Sequence, residues 1–175
     1  FTTQNMNGGF YMKTLIIGGV AGGASVAARL RRLDEQAEII ILERGEYISF
    51  ANCGLPYYIG DVITKKEYLV LQTPKSFDAR FRVEVRVLSE AVAINPEKKT
   101  VTVKNLRTGE SYDESYDKLV LSPGAEPIRP SYVPAESDRI FKLRNIPDTY
   151  KIKDYITAKE CRSAIIIGGG YIGLE

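Results

Sequence analysis

The residues best suited to chemistry lie in one short loop, Ser49-Phe50-Ala51-Asn52-Cys53-Gly54-Leu55-Pro56-Tyr57-Tyr58. Cys53 offers a nucleophilic sulfur, and the thiolate is the form that attacks another sulfur. Gly54 beside it allows close approach of a ligand. A helix beginning just after the loop would aim N–H groups at the sulfur and favour its thiolate. A small buried thiol is the plainer alternative for any cysteine. The surroundings of Cys53 favour the reactive reading. Cys161 precedes an aliphatic run with nothing reactive around it, and reads as a buried packing residue. Ser49 and Asn52 flank the sulfur and could position a ligand, although loop polarity alone also accounts for them.

Two glycine-rich turns point to nucleotides. Gly18-Gly19-Val20-Ala21-Gly22-Gly23 follows an aliphatic strand and opens a helix, the context a dinucleotide fingerprint requires. Gly18 can make the tight turn, and Gly23 can bring the helix close to the strand. The helix N-terminus then presents unpaired N–H groups to a pyrophosphate. Val20 stands where the middle glycine belongs, so the string alone also fits an ordinary glycine turn. Glu43, twenty residues past Gly23, is placed to accept from a ribose hydroxyl, which favours a cofactor such as FAD or NAD. The second turn, Gly168-Gly169-Gly170-Tyr171-Ile172-Gly173, matches the full pattern at Gly168, Gly170 and Gly173. Two such turns imply two dinucleotides. The acid that would separate NADH from NADPH lies outside the sequence.

These residues need elements to hold them. Lys13 to Ile17 reads as a buried strand and Ala24 to Leu33 as a helix with Val26, Leu30 and Leu33 on one face. Glu38 to Leu42 is a second strand, which completes a βαβ unit opening a doubly wound, Rossmann-like sheet. Val83 to Ile94 and Thr100 to Asn105 alternate like strands around a turn at Asn95 to Lys99. Tyr116 to Leu121 is another strand, Ser131 to Asp148 a polar connection, and Lys151 to Lys159 a helix. Ser163 to Ile167 reads as a fresh buried strand. The expected organisation is a cloning remnant or extension over 1–11, a nucleotide-binding domain with a β-rich insertion over 12–160, and the first strand and turn of a second, truncated Rossmann-like domain over 161–175.

Composition narrows the class. Of 175 residues, 24 are basic and 22 acidic, a formal net charge of +2 that gives no reason to expect a nucleic-acid partner. No apolar run reaches the ~18 residues of a membrane span. The first eleven residues lack the character of a secretory signal, and two distant cysteines make no disulfide framework, so a cytoplasmic protein is expected. There is no histidine, and no metal site is expected.

The first glycine turn, Ser49 to Gly60, Leu119 to Gly124, Leu143-Arg144-Asn145 and the second turn together resemble the successive motifs of the single-cysteine branch of flavin disulfide reductases. The likeness runs from about Met12 to Glu175, and the cysteine loop is its most specific part. Dithiol members, such as glutathione and lipoamide reductases, carry a second cysteine five positions after the first; here that position is Tyr58. Cys53 then forms a mixed disulfide with a small thiol, or a sulfenic acid. NADH peroxidases and water-forming oxidases of this branch have a histidine where this chain has Ala21. The run Gly19 to Gly23 is similar instead to the coenzyme A-disulfide reductases, whose members most similar in this loop often carry a C-terminal rhodanese domain.

The resemblance implies FAD at Gly18, Val20, Ala21, Gly22, Glu43, Arg44, Asn52, Ala91, Ser122, Gly124 and Arg144. It places NAD(P)H at Gly168, Gly170, Tyr171, Ile172 and Gly173. Coenzyme A would meet Ser25, Arg29, Arg32, Ser49 and Asn52. Ser25, Arg29 and Arg32 share one helix face by spacing, and a guanidinium there could hold a phosphate, with Arg32 the stronger candidate; a solvated basic surface is the alternative. The implied reaction passes electrons from nicotinamide through flavin to Cys53 and on to coenzyme A disulfide, in a homodimer whose partner subunit supplies a tyrosine. Three rivals stand beside it: an oxidase or peroxidase working through sulfenic acid, a polysulfide or persulfide reductase, and a non-catalytic nucleotide-binding redox module.

Overall fold

The computed structural model describes residues 11–134 and 137–175. All but the last residue of the expected N-terminal extension therefore lies outside the described residues. Strands β1 (Lys13–Ile17) and β2 (Glu38–Leu42) form where the aliphatic runs place them. They pair in parallel, Lys13 opposite Glu38 through Ile17 opposite Leu42. With β3 (Glu84–Arg86) and β7 (Lys118–Leu121) they make a parallel sheet of order β3-β2-β1-β7.

Alternate residues of β1 and β2 feed two cores. Ile16, Ile39 and Ile41 pack with Ala24 and Ala27 of α1 (Ala21–Leu33) and Phe77 of α3 (Pro74–Phe81). Leu15, Ile40 and Leu42 pack on Val101 and Val103. Burial on both faces is why these strands read as continuous aliphatic runs. Each fully buried isoleucine or leucine contributes about 1.5–3 kcal/mol by leaving water. Val101 and Val103 belong to a three-stranded antiparallel sheet, β4 (Ser89–Asn95), β5 (Thr100–Asn105) and β6 (Ser111–Ser115), in the order β4-β5-β6. The expected Rossmann-like sheet with a β-rich insertion is thus the observed fold.

Several boundaries differ from the sequence reading. Val83 to Ile94 is two strands in two sheets, β3 and β4, because Leu88 takes a left-handed conformation (φ 52°) and breaks the run. Helix α1 starts inside the glycine turn, and its buried face is Gly23, Ala24 and Ala27. Leu33, expected on that face, is 66% exposed, since close packing on the sheet selects small residues. The later helix, α4, spans Ile146–Ala158 and starts before the expected position, because Asn145 accepts a hydrogen bond from the Asp148 N–H and Pro147 suits the first turn. Helix α3 was not anticipated, although Thr73 and Ser76 form a reciprocal capping box around Pro74. Ser163 to Ile167 is not a strand. Ile165, Ile166 and Ile167 are 93%, 67% and 69% exposed, because among the described residues no strand pairs with them.

The chain divides into two compact units. The first comprises the described chain up to Phe50 with Gln72–Gly124, and holds both sheets, α1 and α3. The second comprises Ala51–Leu71 with Ala125–Glu175. It holds the 3-10 turns Asn52–Gly54 and Lys66–Leu69, α2 (Leu55–Ile59), α4, and α5 (Tyr171–Leu174).

A charged cluster ties the two sheets of the first unit together. Glu114 of β6, 12% exposed, accepts from Lys13 Nζ of β1 at 2.5 Å and from Arg86 of β3. Burial alone would raise the Glu114 carboxyl, but the hydrogen bonds and charges of Lys13 and Arg86 outweigh it and hold it below its ordinary value. A depressed carboxyl stabilises the fold above its unfolded value and loses that contribution as pH falls through its folded one. Stability should therefore drop below pH ~4.3, the ordinary glutamate value. Glu114→Gln should flatten that slope and lower stability at neutral pH. Urea unfolding at a series of pH values checks it: equal acid slopes in the two proteins would mean the cluster is not what titrates.

Candidate functional site

In the first unit the glycine turn sits at the carboxyl ends of β1 and β2. Gly18 takes φ +98° and its N–H donates to Leu42 O at 2.8 Å. A Cβ on Gly18 would lie 2.0 Å from Ser122 O, so the turn presses directly on the end of β7. Val20 is the N-cap residue of α1 and provides no side-chain cap; the first turn holds no acid. Ala21, Gly22 and Gly23 thus open a helix whose first N–H groups take no side-chain acceptor. Gly23 packs against Gly18 so tightly that a Cβ would lie 1.8 Å from Gly18 O.

Glu43 follows β2 and turns its carboxylate back onto the turn. Oε2 accepts the Gly19 N–H at 2.8 Å and Oε1 the Gly45 N–H at 2.7 Å. Each carboxylate oxygen can accept again, so Glu43 is fixed in place and still able to receive a hydroxyl. Gly19 was not singled out from the sequence; its position next to the tight-turn glycine was the available signal. The Ser49 N–H donates to Gly19 O at 3.0 Å, and Ser49 itself has φ 45°. The Ser122 N–H donates to Ile17 O at 2.8 Å, and its hydroxyl oxygen would be 3.0 Å from a Cβ on Gly22. Gly124 has φ 72°. Gly18, Val20, Ala21, Gly22, Glu43, Ser49 and Ser122 therefore gather at one sheet edge. Such an edge, with uncapped N–H groups, close-approach glycines and a held acid, fits a dinucleotide.

Ala91 stands apart, on β4 opposite Val103 beside a register shift. Arg44 is exposed after β2. Ser25, Arg29 and Arg32 are all exposed along α1, on the common face their spacing implies.

In the second unit Cys53 is exposed at the centre of the 3-10 turn Asn52–Gly54, which runs straight into α2. Gly54 is buried; a Cβ there would meet Ile63 Cδ1 at 3.1 Å and Leu69 Cδ2 at 3.3 Å. The Ala51 N–H donates to Leu69 O at 2.8 Å and closes the turn from its other side. Asn52 Oδ1 is buried with no hydrogen-bond partner among the described residues. Tyr57, one helical turn after Cys53, is exposed, and its hydroxyl donates to Glu175 Oε1 at 3.3 Å. The Glu175 charge holds that phenol above its ordinary value. Tyr58, at the place of a second sulfur in the dithiol enzymes, is buried and packs edge-on to Tyr150, ring centroids 5.8 Å apart. Arg144 Nε donates to Ala125 O at 2.6 Å.

Cys161, expected to be buried, is exposed, since the strand that would have covered it does not form. The second glycine turn nevertheless takes the geometry of the first. Gly168 has φ +112°, Gly170 caps α5, and a Cβ on Gly173 would lie 2.2 Å from Gly168 O. Tyr171 and Ile172 are exposed on that short helix. Among the described residues no helix is long and apolar enough to cross a membrane, and no cluster of three or more metal-ligating side chains occurs.

A family model described as pyridine nucleotide-disulphide oxidoreductase matches residues 12–175. The chain belongs to this family. It is 45% identical over 163 residues to the coenzyme A disulfide reductase of Staphylococcus aureus, covering 93% of this chain and 36% of that protein. Reduced Bacillus anthracis CoADR-RHD superposes with a TM-score of 0.90 at 59% identity, over 94% of this chain and 30% of that one. A NAD-dependent persulfide reductase from A. fulgidus gives 0.87 at 32% identity, over 93% and 30%. The chain thus spans about a third of the length of these oxidoreductases.

Proposed function

We propose that this chain is part of a FAD- and NAD(P)H-dependent coenzyme A-disulfide reductase that works through the single cysteine Cys53. The observation that carries the reading is an exposed Cys53 whose loop holds Tyr58, not a second cysteine, five positions on. Gly18, Val20, Ala21, Gly22, Glu43, Arg44, Asn52, Ala91, Ser122, Gly124 and Arg144 are the residues that would hold FAD. Gly168, Gly170, Tyr171, Ile172 and Gly173 would hold the nicotinamide nucleotide. When bound, FAD would take hydride from NAD(P)H and supply the electron pair that reduces a disulfide.

The chain's own step is thiol–disulfide exchange. The Cys53 thiolate attacks one sulfur of coenzyme A disulfide, forms the Cys53–coenzyme A disulfide and expels one coenzyme A thiolate. Two electrons then cleave that mixed disulfide to the Cys53 thiolate and a second coenzyme A thiolate. Asn52 Oδ1, an acceptor without a partner among the described residues, is available to a donor on the bound thiol. Ser25, Ser49, Arg29 and above all Arg32 would meet coenzyme A and its phosphates. The reading includes a cytoplasmic homodimer and a domain division at about residue 160.

A second reading, reduction of persulfides or polysulfide, is favoured by the likeness to the A. fulgidus enzyme. Intact-mass measurement of the full-length protein as isolated separates the two. A coenzyme A adduct on Cys53 that dithiothreitol removes is the expected result. A bare thiol, a sulfenic acid or an added sulfur atom would overturn the preference for coenzyme A.

A further inference from the structure

Helix α2, which carries Cys53 at its leading edge, has little of its own to hold it. It is five residues long and has no side-chain N-cap, and helices of this length do not persist by propensity. Its position must come from its neighbours. Within the second unit the 3-10 turn Lys66–Leu69 holds its leading end through Ala51 N–H to Leu69 O, and α4 holds its far end. Lys153 Nζ donates to Ile59 O, the last carbonyl of α2, at 2.9 Å, and pairs with Asp61 Oδ2 at 2.5 Å. Asp61 takes φ 62° as the chain reverses after Gly60. One turn earlier on α4, Tyr150 makes an edge-type ring contact with Tyr58 and lies under the ammonium of Lys66, 4.4 Å from its ring centroid.

We infer that Lys153 is a positioning residue for Cys53: its ammonium binds the C-terminus of α2 and fixes the segment on which the sulfur rides. The inference rests on the proposed function of Cys53 and adds a residue to it. A cation at a helix C-terminus satisfies an orphan carbonyl and complements the helix dipole. The Lys153 side chain is only 19% exposed, so water competes weakly for the contact. Tyr58 and Tyr150 set the distance between the helices, and Lys153 sets the register of α2 along α4. A shift of about 1 Å in a reacting group can cost about 100-fold in rate. A short helix released at its far end can make such a shift without unfolding.

The test uses the full-length holoenzyme as wild type, Lys153→Met, Lys153→Arg and Asp61→Asn. Five quantities are read: flavin reduction by NAD(P)H, kcat and KM for coenzyme A disulfide, the rate of Cys53 alkylation by iodoacetamide, and the thermal midpoint. For Lys153→Met the expectation is unchanged flavin reduction and midpoint, and kcat for coenzyme A disulfide down roughly 10- to 100-fold. KM should stay within about twofold, and Cys53 alkylation should change. Lys153→Arg, which keeps the charge and donors, should restore most of the rate, and Asp61→Asn should fall between. Wild-type kcat in Lys153→Met overturns the inference. So does a loss matched by lost flavin or a lowered midpoint, or one that arginine does not rescue. A wild-type enzyme that does not reduce coenzyme A disulfide would instead refute the proposed substrate, and the alkylation rates would still decide whether Lys153 positions Cys53.

Discussion

Replacing Cys53 by serine in the full-length protein is expected to abolish disulfide reduction, by roughly three orders of magnitude or more, the scale on which loss of a nucleophile acts. FAD should remain bound and reducible by NAD(P)H. The two half-reactions use different groups. Flavin reduction needs only the nucleotide sites, for which the glycine turn and Glu43 stand in the first unit. Passage to a disulfide needs a sulfur nucleophile, and a hydroxyl cannot form the mixed disulfide. The Cys53 sulfur is exposed, so the substitution buries no new polar group and removes little packing. Cys161→Ser is the control. No reactive group surrounds Cys161 in the sequence, so turnover should stay near wild type. Stopped-flow flavin reduction and steady-state reduction of coenzyme A disulfide should be measured on both variants. Near-normal disulfide turnover in Cys53→Ser would end the single-cysteine mechanism. Lost turnover in a folded Cys161→Ser protein would mean that the other sulfur is the redox centre.

Gly23→Ala is expected to damage the nucleotide cradle severely. The new Cβ would lie 1.8 Å from Gly18 O, 3.0 Å from Gly18 C and 3.0 Å from Ile16 Cγ2. The nearest two are backbone atoms at the tight turn, which cannot swing aside as a side-chain tip can. Helix α1 must move off β1, and both the core at Ile16 and the turn move with it. Overpacking of this kind costs about 1–3 kcal/mol and sometimes more. The larger effect should be on cofactor retention, because the uncapped N–H groups of α1 move with the helix. Gly22→Ala is the comparison. Its Cβ would meet Ser122 Oγ at 3.0 Å, a hydroxyl that can rotate, so stability should change by roughly 0.5 kcal/mol or less. Flavin content and thermal midpoint of the full-length variants give the answer. If Gly23→Ala retains FAD and melts with Gly22→Ala, the close approach does not hold the cradle.

Local pattern alone determined much of this protein. The bounds of β1 and β2 follow from aliphatic runs, and the turn between β1 and α1 from its glycines. The second turn repeats the first geometry, even though no strand forms before it, because a close Gly168–Gly173 approach needs only local backbone. The position of Glu43 after β2 placed it at the turn, since a strand of fixed rise carries its end to a fixed place. Tyr58 in the position of a second cysteine was likewise visible in the chain.

Tertiary contacts decided the rest. The run Val83 to Ile94 alternates throughout, and only the left-handed residue Leu88 divides it between two sheets. The aliphatic stretch Ser163 to Ile167 has the composition of a strand, but a strand exists only through its partners' hydrogen bonds. The exposure of Cys161 follows from that. The two acceptor duties of Glu43 toward Gly19 and Gly45 depend on how the chain returns after β2. Lys153 gave no sign in the sequence, because its partner Ile59 lies 94 positions away and a backbone carbonyl leaves no mark in residue type. Side-chain chemistry and local periodicity are written in the order of residues; long-range pairing appears only when the chain has folded.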